Sequence, residues 1–292
     1  MSRLFRSRTS LSATRYPIPP VLLASGHADG TAELAVRCRA GHLPCVPASA
    51  HADVHPGPQG GDFFDLIDLG EGRMLMQLLD VSGRGTAVQG LLADLQDVFH
   101  ARGRELFAPN ADAHDVNAHD VNANDGLMQL VPELNRKLMA TAGGVHYASA
   151  VVAHCDCGTG IFTYIVAGAP PILLKRGSHV EQLQGTGLPL GLFTHSTYEA
   201  EVIAVEPGAA LVLFSKGLVE VECRHQQFGL ERAQEMLAAA PAESAAALCE
   251  SLMAAAMRFE QQPTRFGPPL RFPGFRDQDK ASDMTVVALL RR

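Results

Sequence analysis

Residues 60–85 read GGDFFDLIDLGEGRMLMQLLDVSGRG. Apolar side chains recur on both sides of a glycine-flanked acid: Phe63, Leu66 and Leu69 before it, then Met74, Met76, Leu78 and Leu79. That pattern predicts two strands joined by the turn Gly70-Glu71-Gly72. A hairpin folds back on itself, so its two open ends lie side by side. Asp62 opens the first strand, and Asp80 closes the second ahead of a glycine-rich turn. The two carboxylates are therefore expected at one sheet end, where their oxygens suit a hard cation. The competing reading is that both are turn residues, because Asp favours turns.

Beyond Gly85 the period changes. Val88, Leu91, Leu92, Leu95, Val98 and Phe99 recur at three and four, predicting a helix over about 86–107. Its amino end abuts Asp80, where backbone N–H groups suit an anion or water. A second helix carries Leu127, Leu130, Val131, Leu134 and Leu138. Between the two, Ala-His-Asp-Val-Asn occurs at 113–117 and again at 118–122. The repeat offers little to bury, so 110–125 is expected to be a mobile loop. His114 and His119 with their aspartates offer it an adventitious metal site at best, since flexible side chains must first be ordered. Strands are expected at 147–154, 160–166, 210–214 and 284–290, and helices at 230–239 and 243–258. Residues 260–281, with Pro263, Pro268, Pro269 and Pro273, read as a long loop. Strand pairs alternating with pairs of amphipathic helices predict an α/β fold, a four-layer α/β/β/α sandwich of two mostly antiparallel sheets, over 41–292. Residues 1–40 read as a loose basic tail with an edge strand near Ala32–Val36.

Composition narrows the function. The formal net charge of −7 argues against general nucleic-acid binding. No apolar run is long enough to span a membrane. The basic N-terminal stretch, with Arg3, Arg6, Arg8 and Arg15, lacks the apolar core of a secretory signal, so a cytoplasmic protein is expected. Six cysteines are scattered without a paired framework. Cys155-Asp156-Cys157 has no second pair nearby, and buried or hairpin thiols are the default reading over zinc.

Gly60-Gly61-Asp62-Phe63-Phe64-Asp65 followed by Asp80-Val81-Ser82-Gly83-Arg84-Gly85 resembles the SpoIIE-like branch of the PPM-type metal-dependent serine/threonine protein phosphatases. Later segments resemble the family in the same order, over roughly 40–292. Ala167-Gly168-Ala169-Pro170-Pro171 is similar to an A-G-H-P-P segment with Ala169 for His. Gly187-Leu188-Pro189-Leu190-Gly191 is similar to a glycine–proline loop. Ser215-Lys216-Gly217-Leu218-Val219-Glu220 is similar to T-D-G-L-T-E, and Ser282-Asp283-Met284-Thr285 to D-[DN]-x-T. The resemblance implies two Mn²⁺ or Mg²⁺ ions sharing a water that attacks a phosphoserine or phosphothreonine. It implies that Asp80 bridges both ions, that Asp62 and the Val81 backbone carbonyl hold the second, and that acids at positions 216 and 282 hold the first.

Those two acids are replaced by Lys216 and Ser282. At an effective dielectric of 20, two unit charges about 4 Å apart interact by about 4 kcal/mol, and a divalent ion doubles that. An ammonium at position 216 therefore repels a neighbouring cation and is suited to replace it beside Asp80; the alternative is that its flexible stem swings to solvent. Asp283 is a weak substitute ligand, because alternation along a strand aims it at the opposite face. Asp277 and Asp279, in the long loop, are weaker still. Asp62, Asp80, Lys216 and Ser282 are expected to converge at one end of the sandwich. The leading expectation is a phosphatase, slowed by a degenerate metal site, acting on a phosphorylated regulatory protein such as an antagonist of an anti-sigma factor. The alternatives are a non-catalytic phosphatase-like module that binds such a partner, and a metal-independent interaction domain held by Lys216 and Asp80.

Overall fold

A computed structural model describes residues 32–39, 60–107, 116–261 and 283–292, with only the backbone course given for 116–122. The strands are β1 (Ala32–Arg39), β2 (Asp62–Gly70), β3 (Arg73–Val81), β4 (Ala148–Asp156), β5 (Ile161–Ala167), β6 (Ile172–Arg176), β7 (His179–Leu183), β8 (Glu201–Ala204), β9 (Ala210–Phe214), β10 (Glu222–Cys223), β11 (Gln226–Gln227) and β12 (Met284–Arg291). The helices are α1 (Thr86–Leu106), α2 (Val116–Ala142), α3 (Lys216–Val219), α4 (Gly229–Ala239) and α5 (Ala245–Glu260). One sheet runs β1-β12-β9-β6-β7 and the other β2-β3-β4-β5-β8. Every strand pairing within both is antiparallel.

Three apolar layers make the expected four-layer sandwich. Alternation along β2 and β3 sends Phe63, Ile67, Leu75 and Leu79 outward, against the α1 stripe Leu91–Leu95–Phe99 and the α2 stripe Leu127–Leu134–Leu138. The opposite parity, Phe64, Met74, Met76 and Leu78, meets Leu34, Leu211, Leu213 and Val287 between the sheets. On the far side, Val212, Phe214, Val286 and Ala288 pack on Leu237, Leu248 and Leu252 of α4 and α5. Each fully buried Leu or Phe contributes about 1.5–3 kcal/mol of transfer free energy, which outweighs the propensity of any single segment. The Ser244 hydroxyl caps α5 by accepting from the Ala247 N–H at 3.0 Å.

Two expectations need correction. Residues 116–125 are helix, not loop, because α2 begins at Val116. Ala123 is buried in the same core as Leu127, so the apolar stripe pulls the helix back into the Asn- and Asp-rich repeat. Residues 110–115, including His114, lie outside the described residues, as does 262–281 of the long loop. The strand near Ala32 runs to Arg39 and pairs with β12 along its whole length. The domain therefore begins before residue 41. No described helix is long and apolar enough to cross a membrane, which leaves β-barrels unaddressed.

Candidate functional site

The β2–β3 ladder sets the site. Its register pairs Asp62 directly with Asp80, across a turn in which Gly70, Glu71 and Gly72 all take positive φ. The glycines before Asp62 are required by close approach. A Cβ on Gly61 would lie 1.8 Å from the Val81 carbonyl oxygen, and one on Gly60 would lie 1.4 Å from Asp283 Oδ2. Val81 is held there by its N–H bond to the Gly61 carbonyl at 2.9 Å. The following turn is tied to β4: Ser82 N–H donates to the Tyr147 carbonyl at 2.8 Å, and the Ser82 hydroxyl accepts from Tyr147 N–H at 3.0 Å.

The second sheet brings its strand ends to the same place. β9 stops at Phe214, and Ser215 leads into α3, whose first residue is Lys216. The Ser215 hydroxyl donates to Asp62 Oδ2 at 2.5 Å. Lys216 approaches Asp80, both through its ammonium charge and through a backbone N–H bond to the carboxylate. Asp283 immediately precedes β12 and accepts from Gly61 N–H at 3.2 Å. Its other oxygen lies 3.5 Å from Arg84 Nη2. Asp62, Asp80 and Lys216 share one end of the sandwich, and Asp283 joins them there. Ser282 lies outside the described residues, as do Asp277 and Asp279. The placement of Asp283 corrects the expectation that it faces away. It stands one residue outside the strand, so the pleat does not constrain it.

Burial and like charges set the electrostatics. Asp62 is 2% exposed. Burial first, then the charge of Asp80 and more weakly that of Asp283, push its carboxyl up to about 7 against the opposing Ser215 and Thr285 hydrogen bonds. Asp80 is also raised, chiefly by burial; the Lys216 ammonium pulls it back, while Glu220 and Asp283 push it up. The end of the sandwich therefore carries an excess of carboxylates, partly neutralised by Lys216 and Arg84. Ser215, Arg84 and Glu220 received no role from the sequence. Ser215 and Glu220 sit in the motif around Lys216, but their contacts depend on the other sheet.

The donors gathered by the hairpin are carboxylate and carbonyl oxygens, which suit a hard cation. Asp62 and Asp80 face each other, and the Val81 carbonyl lies against Gly61 at the end of the same hairpin. A cation there would relieve the crowding that raises both carboxyls. The Lys216 ammonium also acts on Asp80. Among the described residues, no three His, Cys, Asp or Glu side chains are grouped to hold a metal ion. Cys155 and Cys157 are buried at the far end of β4, with their sulfurs 3.9 Å apart.

Comparison with known proteins agrees with this fold. The model of the Stage II sporulation protein E family matches residues 70–291. Protein IcfG of Synechocystis sp. is 24% identical over 190 residues, covering 61% of this chain; the chain spans only 30% of that relative's length. The PP2C phosphatase domain of SpoIIE from Bacillus subtilis, solved with a fragment of its regulatory domain, superposes with a TM-score of 0.61 at 15% identity, covering 89% of this chain and 63% of that one. The RsbU and RsbW domains of Rv1364c from Mycobacterium tuberculosis superpose with a TM-score of 0.60 at 20% identity, covering 94% and 63%. The matched family model covers most of the chain, from Gly70 at the β2–β3 turn through β12, and the chain belongs to the SpoIIE family of PPM-type phosphatases.

Proposed function

We propose that this chain is a slow, metal-assisted phosphoprotein phosphatase whose metal centre has been reduced to its β2–β3 half. The carrying observation is the asymmetry around Asp80. Across the ladder it faces the carboxylate of Asp62 in register, and it also feels the opposite charge of Lys216 from the second sheet. Asp62, Asp80 and the Val81 carbonyl would hold one Mn²⁺ or Mg²⁺, with Asp283 as an additional oxygen donor. Such an ion supplies Lewis acidity toward a phosphate ester and the attacking water. The chain's own residues do the rest. Asp62 and Asp80 orient the cation, Lys216 places a fixed positive charge where the family has a second ion, and Arg84 stands exposed at the rim with a donor suited to phosphate oxygens. A fixed ammonium neutralises charge but does not activate water as a metal does, so turnover is slow.

The substrate proposed is a phosphorylated regulatory protein, of the kind that antagonises an anti-sigma factor. Family membership supports the class, and nothing in the chain's composition selects a particular partner. A second reading, a non-catalytic module that binds the same partner, is favoured by the absence of a three-ligand group among the described residues. Hydrolysis of a phosphoserine peptide with and without Mn²⁺ separates the two. Slow, Mn²⁺-dependent release of phosphate that is lost in Asp80→Asn supports the enzyme. Phosphopeptide binding without release, unchanged by Mn²⁺, supports the module.

A further inference from the structure

The end of β9 is irregular in a way that reaches Asp62. The last regular pair between β9 and β12 is Phe214 with Val286. One position further, Ser215 N–H still donates to the Thr285 carbonyl at 3.0 Å. The return bond does not go to the Ser215 carbonyl, which turns away to accept from Leu218 N–H at 3.2 Å as α3 begins. Thr285 N–H donates instead to the Ser215 hydroxyl oxygen at 3.1 Å. A hydroxyl has one proton. With its oxygen already accepting from Thr285, that proton points to Asp62 Oδ2 at 2.5 Å. Ser215 is fully buried, so water does not compete for either bond.

We propose that Ser215 is a positioning residue. Its hydroxyl stands in for a missing ladder acceptor and, with the same atom, fixes the Asp62 carboxylate of the opposite sheet toward Asp80. This rests on the reading of Asp62 as a cation ligand. The side chain that completes one sheet thereby sets the ligand geometry of the other. The bond occupies one lone pair of Oδ2 and leaves Oδ1 unengaged by Ser215. Outer hydrogen-bond partners of metal ligands typically change metal affinity about 10–100-fold when removed.

The experiment is Mn²⁺ titration by calorimetry on the full chain as wild type, Ser215→Ala and Ser215→Thr, with thermal melts of the same proteins in chelator. Ser215→Ala is expected to weaken Mn²⁺ binding at least about tenfold, and Ser215→Thr, which keeps the hydroxyl, to restore it to within about threefold. Melts of Ser215→Ala, Asp62→Ala and the double variant supply a metal-free arm. The shift caused by Ser215→Ala should fall to about half or less once Asp62 is gone, because the two act as one unit. Unchanged Mn²⁺ affinity in Ser215→Ala, or additive melting shifts, overturns the proposal. If the wild type binds no Mn²⁺, the one-cation reading falls, and the melting cycle alone decides whether Ser215 fixes Asp62.

Discussion

The two sheets meet at the same end of the molecule but contribute differently to it. The β2–β3 hairpin brings two carboxylates in register, a carbonyl and two glycines that let the backbone approach closely. The β9 and β12 ends bring a hydroxyl, an ammonium and one carboxylate already engaged by Gly61 and Arg84. In the function proposed above, the first half keeps the chemistry of a cation site and the second supplies internal donors in place of ligands. The difference teaches that the β2–β3 register, and with it the Asp62–Asp80 pair, rests on the ladder and the apolar layers and not on an ion.

The largest expected effect comes from making the halves alike. Lys216→Asp combined with Ser282→Asp should create a second Mn²⁺ site and raise turnover of a generic phosphate ester, on the order of a hundredfold, the scale of one preorganised electrostatic contact. The two changes serve one ion, so they should be strongly non-additive. Adding Asp80→Asn should abolish both gains. Equal rates in the wild type and the double variant would mean that Lys216 does not stand in a cation's position.

Breaking the intact half should come next in size. Gly61→Ala forces a methyl into the Val81 carbonyl, which is backbone and cannot swing aside. Strain of this kind costs about 1–3 kcal/mol, readable by urea unfolding. A neutral result would show that the hairpin end is loose. Gly60→Ala should cost less, since the atoms it meets belong to the Asp283 side chain, which can rotate away.

A pH series in chelator probes the same half more gently. The folded state holds Asp62's proton more tightly than the unfolded chain does, with a carboxyl at about 7 against the ordinary value of 3.8. The stability this contributes is complete below about pH 4 and is lost as pH rises to about 7. Wild type should therefore lose stability relative to Asp62→Asn across that window. Parallel curves would show that Asp62 is not desolvated. The smallest effect is expected at the rim. Arg84 is 42% exposed, and Arg84→Ala should change stability by no more than about 1 kcal/mol.

The hairpin was legible in the sequence because two apolar runs, with Phe63 and Leu66 in one and Met74 and Met76 in the other, flank a glycine turn that fixes its register locally. The helix stripes of α1 and α5 and the strand at 210–214 were legible for the same reason. Contacts set by the other sheet were not. The Ser215 bond to Asp62 spans 153 positions in the chain. Asp283 was judged by strand alternation although the expected strand began only at residue 284, and its bond to Gly61 spans 222 positions in the chain. The start of α2 was missed because Asn and Asp favour loops locally, while the burial of Ala123 is a tertiary fact. The short edge strands β7 and β8 carry mostly exposed or half-buried side chains, so they leave little apolar alternation to read.

The central claim is that one half of this site still takes a cation and the other half does not. Calorimetric titration of the wild-type chain with Mn²⁺ at neutral pH reads the number of ions directly. The account predicts one ion per chain, lost in Asp80→Asn, and a second only after Lys216 and Ser282 are made acidic. Two ions of comparable affinity in the wild type would contradict it.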